Sequence, residues 1–153
     1  MKMKAKLIYL ILIIYFSINL IANERPLFLK QKISIGSKNL IVEVADTPEK
    51  LAYGLMYKKS IEENEGMLFI FDSEEIRSFW MKNTFVDLSI GFISKEKELT
   101  EIKNMSAAKS EMQNHFENYE SLKPAQYALE MRLGWFEKNH IKVHDKFKLF
   151  IKK

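Results

Sequence analysis

The chain of 153 residues carries 24 Lys and Arg against 20 Asp and Glu, a formal +4, with 47% hydrophobic residues and no cysteine. This length and apolar content support one domain around one core. The lack of cysteine excludes disulfide scaffolds, thiolate zinc sites, iron–sulfur clusters, cysteine nucleophiles and a lipid-modified cysteine.

The positive charge is unevenly placed. Lys2, Lys4 and Lys6 precede the first acidic residue, Glu24, which leaves 21 basic against 20 acidic residues beyond them. A body at net +1 offers no broad basic field to nucleic acid, although Lys146, Lys148, Lys152 and Lys153 could share one face. The start has three parts: cationic MKMKAK, an apolar run from Leu7 to Phe16, and a softer stretch ending at small Ala22. That is the pattern of a secretory signal; Ser17 and Asn19 interrupt it short of the roughly 20 apolar residues a spanning helix needs. We expect a signal peptide over residues 1–22, a leader-proximal segment over 23–32 and a single domain over 33–153, exported to the periplasm or secreted. Leu20 departs from the small residue favoured two places before Ala22, and an uncleaved leader would be the domain's one tie to the membrane.

Residues 33–44 read as a hairpin: Ile33, Ser34 and Ile35 alternate, GSKN turns, and Leu40, Val42 and Val44 share a face with Glu43 opposite. The period then changes. Asp46 and Glu49 resemble a capping box, Pro48 suits a first helical turn, and Leu51, Leu55 and Ala52, Met56 are helically spaced, so a short helix weakened by Gly54 follows. SIEENEG is a loop, Met67–Phe71 a buried strand, and DSEEIRS a charged connection. Val86, Leu88, Ile90 and Phe92 alternate with Asp87, Ser89 and Gly91, and SKEK leads into Leu99–Ile102 as a second hairpin. Residues 104–123 are polar and aperiodic, a long surface loop or flap. Tyr127, Leu129 and Met131 then alternate with Gln126 and Glu130; GWFEKNH makes a helical turn, and Phe147, Leu149 and Ile151 a last strand. The sum is an α+β, β-rich domain, an antiparallel sheet or partly closed barrel with short helices.

FWMKNT, residues 79–84, sets Phe79, Trp80 and Met81 beside Lys82, Asn83 and Thr84. Such a mixture suits a pocket wall, which is mostly apolar with a few placed polar groups; it equally suits core aromatics followed by a capped turn. Glu130, if buried, would need a partner such as Arg132, Arg77 or Lys82 and would have a shifted pKa; if exposed it is an ordinary strand residue. His140 and His144 stand about 13 Å apart in extended chain, too far to chelate, and His115 is remote in sequence. Trp80 with Met81 could hold Cu(I), but no spaced Met/His cluster accompanies them and methionine usually packs in cores. No metal site or cofactor is therefore expected. GxGxxG, P-loop and GxSxG motifs do not occur, which sets aside nucleotide enzymes and α/β-hydrolases, while convergent Ser/His/Asp or two-carboxylate sites leave no local spacing to read.

The blocks VEVADTPEKLAYGLMYKKSIEENEGMLFIF, SFWMKNT and PAQYALEMRLG resemble the hallmark blocks of the domain of unknown function 192 family, over about residues 33–150. The resemblance implies a compact strand-rich fold, often behind a signal peptide, and no established reaction. It maps the family's GLM to Gly54, Leu55 and Met56, GMLF to Gly66, Met67, Leu68 and Phe69, FWM-NT to Phe79, Trp80, Met81, Asn83 and Thr84, and the Leu-Glu pair with its glycine to Leu129, Glu130 and Gly134. Two positions depart from it: Ser89 stands where the family has aspartate, and His144 with Asp145 where it has a Gly-Asp turn.

The leading expectation is a non-enzymatic exported binding module with a pocket around Trp80, Met81, Asn83, Thr84 and Glu130, covered by the 104–123 loop. Its ligand would be a small molecule, envelope polymer or peptide. The alternatives are an envelope hydrolase using Glu130 as general acid or base, with Asn83 orienting substrate, and a structural partner presenting a sheet edge.

Overall fold

The computed structural model describes residues 25–150. The expected signal peptide and Ile151 lie outside them. Nine strands and two short helices follow in order: β1 (Leu29–Ile35), β2 (Lys38–Ala45), α1 (Pro48–Tyr53), β3 (Gly66–Glu75), β4 (Ser78–Phe79), β5 (Leu88–Ile93), β6 (Leu99–Met105), β7 (Tyr119–Glu120), β8 (Ala125–Arg132), α2 (Trp135–Lys138) and β9 (Phe147–Leu149). Seven strands form one sheet in the order β6-β5-β8-β3-β2-β1-β9, and β4 pairs with β7. The sheet is antiparallel except where β2 and β3 run parallel. A parallel pair needs a long crossover, and α1 with its following loop supplies it.

The sheet curls until its two ends meet. Glu98 bridges Lys146, Leu99 donates its N–H to Asp145 C=O at 3.0 Å, and His144 donates its N–H to Leu99 C=O at 2.8 Å. Inside the curl sit Ile33, Ile35, Leu68, Leu129, Met131 and Phe136 among others. A second apolar layer lies on the outer face, where Met67, Phe69, Ile90 and Phe92 are covered by Leu55, Met81 and Tyr119. The α+β, β-rich, partly closed barrel is thus the architecture, with one parallel pair in an otherwise antiparallel sheet.

Two buried layers on one sheet explain where strand alternation misleads. β5 is buried at all six positions. Ser89 and Gly91 do not face water: Gly91 lies under Phe136, so close that a Cβ there would meet the ring at 2.9 Å, and Ser89 is 1% exposed. Other bounds also shift. β1 begins at Leu29, four residues before the expected hairpin, through a stretch that is mostly exposed and has no apolar pattern, and β3 runs on through the charged Asp72–Glu75. The helix cap is Thr47, whose hydroxyl accepts the Lys50 N–H at 3.4 Å, while Asp46 pairs with the Lys50 ammonium at 2.9 Å. The polar 104–123 stretch contains the end of β6 and all of β7, leaving a loop over 106–118.

Candidate functional site

β8 carries the chemistry to one place. Alternation turns Tyr127, Leu129 and Met131 into the barrel, which obliges Ala128 and Glu130 to face the outer layer. Glu130 pairs in register with Met67 of β3 on one side and Ile90 of β5 on the other, so both flanking rungs are apolar. Only 5% of it is exposed.

Above Glu130 two walls rise. One is α1 with the Gly54–Met56 turn. The helix stops at Gly54, whose N–H donates to Lys50 C=O at 2.9 Å and whose φ of 52° with ψ of −131° suits glycine alone. A Cβ there would stand 3.3 Å from the Phe69 ring, so the missing side chain also lets the turn settle onto the core. The other wall is FWMKNT. The two are clasped: Tyr57 donates its N–H to Asn83 C=O at 2.6 Å, Asn83 donates its side-chain N–H to the Tyr57 hydroxyl at 3.1 Å, and Phe85 donates its N–H to Lys58 C=O at 3.2 Å. Asn83 has φ 53°, a left-handed conformation that asparagine tolerates better than most residues.

Between the walls lies a cleft of about 30 Å³ bordered by Tyr53, Phe69, Phe79, Trp80, Lys82, Thr84 and Glu130. That is room for roughly two waters. Of the five residues proposed from sequence, Trp80, Thr84 and Glu130 meet here. Met81, 3% exposed, packs in the outer core, and Asn83 fastens the walls. Trp80 is 51% exposed at the mouth, with Phe116 of the 106–118 loop edge-on at 6.4 Å and the Lys82 ammonium 5.4 Å from its ring centre.

No protein group among the described residues donates to the Glu130 carboxyl. The cations proposed as its partners are engaged elsewhere or exposed: Arg77 donates to the Ala125 and Ser73 carbonyls and stacks on Phe71, and Arg132 lies at the surface. Burial alone acts on Glu130 and pushes its pKa up to about 8. A value there favours the neutral acid at pH 7, which can donate a hydrogen bond.

Larger depressions exist away from this cleft. One of about 530 Å³ is floored by Ser89, which donates to Asn104 Oδ1 at 2.6 Å and accepts the Gly134 N–H at 2.9 Å. Another of about 580 Å³ holds Glu43, paired with Arg25, and Glu65, paired with Lys58. The neighbouring Asp87 accepts the Ala107 N–H at 2.7 Å and tethers the loop over 106–118. His144, at the second departure from the family pattern, has φ 77°, a conformation glycine adopts freely; its Nδ1 lies 2.7 Å from Glu98. His140 borders the first depression, and His115 is exposed.

Comparison with solved structures gives five matching chains. One, from Sinorhizobium meliloti 1021 and described as a "putative transcription regulator", superposes with a TM-score of 0.73 at 24% identity, covering 82% of this chain and 98% of that one. Another, of unknown function from Novosphingobium aromaticivorans DSM 12444, gives a TM-score of 0.66 at 24% identity over 79% of this chain and 84% of that one. At these identities the likeness is one of fold. No curated protein matches significantly. Residues 31–149 match the family DUF192, described as "Uncharacterized ACR"; that span takes in the GLM, FWM-NT and Leu-Glu blocks that build the cleft, and the chain belongs to this family.

Proposed function

We propose that this protein is a binding module that takes a small end-group of a larger molecule, a peptide, envelope polymer or small ligand, into the cleft over Glu130. The observation that carries this reading is a carboxyl with no protein donor at the floor of a cleft walled by Trp80, Phe79 and Phe69. No buried side-chain oxygen among the described residues is left without a partner, so this carboxyl meets solvent through the cleft, and a ligand group that pairs with it takes the place of that water. The volume of about 30 Å³ fits an end-group and not a whole ligand, so most of the partner would lie outside, across the exposed Trp80 ring. The leader supports a place outside the inner membrane, and the mass of the mature chain tests it: a full-length cytosolic product removes that part of the reading.

The test of the site is nuclear magnetic resonance of the Trp80 indole N–H while envelope peptides and cell-wall fragments are added. A shift that disappears in Glu130→Gln supports the cleft; ligands that bind while leaving this signal fixed refute it.

A second reading has one observation in its favour. A carboxylic acid with a pKa near 8 suits a general acid, as an envelope hydrolase would need. The cleft holds one carboxyl, so Thr84 or a water would have to serve as the second group. Turnover of a chromogenic ester or glycoside that is lost in Glu130→Gln would favour this reading over binding alone.

A further inference from the structure

Given a binding cleft at Glu130, its walls narrow the chemistry of the group it takes. Four aromatic side chains, Tyr53, Phe69, Phe79 and Trp80, border it, and its one acid lies at the floor. Aromatic faces are electron-rich and attract cations, and a buried carboxyl gains most from a partner that brings a full positive charge. The mouth already shows the preference: the ammonium of Lys82, a residue that borders the same cleft, stands over the Trp80 ring at 5.4 Å.

We propose that the cleft takes the primary ammonium group of a ligand, held between the Glu130 carboxylate and the aromatic wall, in competition with the ammonium of Lys82. Size selects among cations. A space of about 30 Å³ favours an –NH3+ on a slender chain over a bulkier trimethylammonium. The slender chain then lies along Trp80, where the exposed ring offers a surface for methylenes. Lys82, exposed with its ammonium over the same ring, competes for that surface.

The proton follows from the same geometry. The titratable groups that share the cleft with Glu130 are Lys82 and Tyr53; β3 and β5 face it with Met67 and Ile90. Below the Glu130 pKa of about 8 the ammonium displaces the carboxyl proton to solvent, one proton per ligand bound, and the pair that remains is Glu130 carboxylate with ligand ammonium. Affinity therefore rises with pH, by roughly tenfold from pH 7 to pH 9, and falls again as the amine loses its own proton near 10. An anionic ligand would behave in the opposite sense, binding to neutral Glu130 and to Lys82 and weakening as pH rises.

Methylammonium, tetramethylammonium and acetate are the probes, followed through the Trp80 indole N–H and the 13C-labelled carboxyl of Glu130. Gly-Lys-Gly and 1,4-diaminobutane then separate a peptide lysine from a free polyamine as the source of the amine. The expected result is that methylammonium shifts both signals at millimolar concentration, that tetramethylammonium does not, that Lys82→Ala strengthens the effect and that Glu130→Gln abolishes it. Calorimetry in buffers of different ionisation enthalpy is expected to show proton release at pH 7. If acetate binds instead, is weakened by Lys82→Ala and survives Glu130→Gln, the ammonium assignment is overturned while the binding cleft stands. Methylammonium binding that persists in Glu130→Gln also overturns it. Silence of both signals with every probe removes the cleft itself.

Discussion

A carboxyl held at a pKa of about 8 is protonated in the folded chain at neutral pH and ionised in the unfolded one, so folding takes up a proton at Glu130. Below the ordinary value of 4.5 both states are protonated and nothing is lost; from there stability falls as pH rises, and the loss levels off once the folded-state group ionises near 8. Glu130→Gln removes the charge while keeping the shape. We expect it to melt at the same temperature as the parent at pH 4 and to be more stable at pH 8 by on the order of a few kcal/mol; melting curves that stay parallel across that range would mean that the group has found a partner. At Ser89 the family's aspartate is absent, yet the position is not idle, since its hydroxyl joins Asn104 to the start of α2. Asp87, two residues before Ser89, tethers the neighbouring loop.

At the scale of elements, β3 and β8 carry the site, and their approach depends on Gly66. A Cβ at Gly66 would collide with the Met131 thioether and stand 2.5 Å from the Glu130 carbonyl. Gly66→Ala is therefore expected to destabilise by about 1–3 kcal/mol, measured by urea unfolding, and to disturb the Glu130 carboxyl signal. The 106–118 loop rests on Trp80 through Phe116. Phe116→Ala should speed amide exchange within that loop, at a cost of about 1 kcal/mol to its closed state, and leave exchange in β3 and β8 unchanged. The first hairpin, the buried MLFIF strand and the alternation of β8 were legible in sequence because each has a clear apolar period. The exposed start of β1 and the charged end of β3 were not, since pairing there is made by backbone groups that side chains do not report. Nor was the burial of Glu130. It depends on a cover drawn from Gly54–Met56 and FWMKNT, distant segments whose convergence no local pattern encodes.

At the scale of the whole molecule, the curl is fastened by ions at the surface. Glu98 accepts from Lys146 at 2.6 Å and meets His144 at 2.7 Å across the seam between the two sheet ends, and these contacts hold its pKa down at about 2. The lowered value means a contribution that is complete above the ordinary 4.5 and is lost as pH falls toward 2. The parent should thus lose stability in acid more steeply than Glu98→Gln. The pair is exposed, so added salt should shrink the difference; equal acid sensitivity of the two proteins would show that the seam is held by its backbone bonds alone.

β1 and β9 lie side by side in the sheet, yet they come from opposite ends of the described chain. A pairing of such long reach has to wait for the last strand, so the barrel cannot close before Phe147–Leu149 is free to pair with β1. Without β9, Ile33, Ile35 and Tyr127 lose Phe147 as their cover. Ribosome-bound chains ending before Phe147 should accordingly be digested by a protease that spares the finished protein.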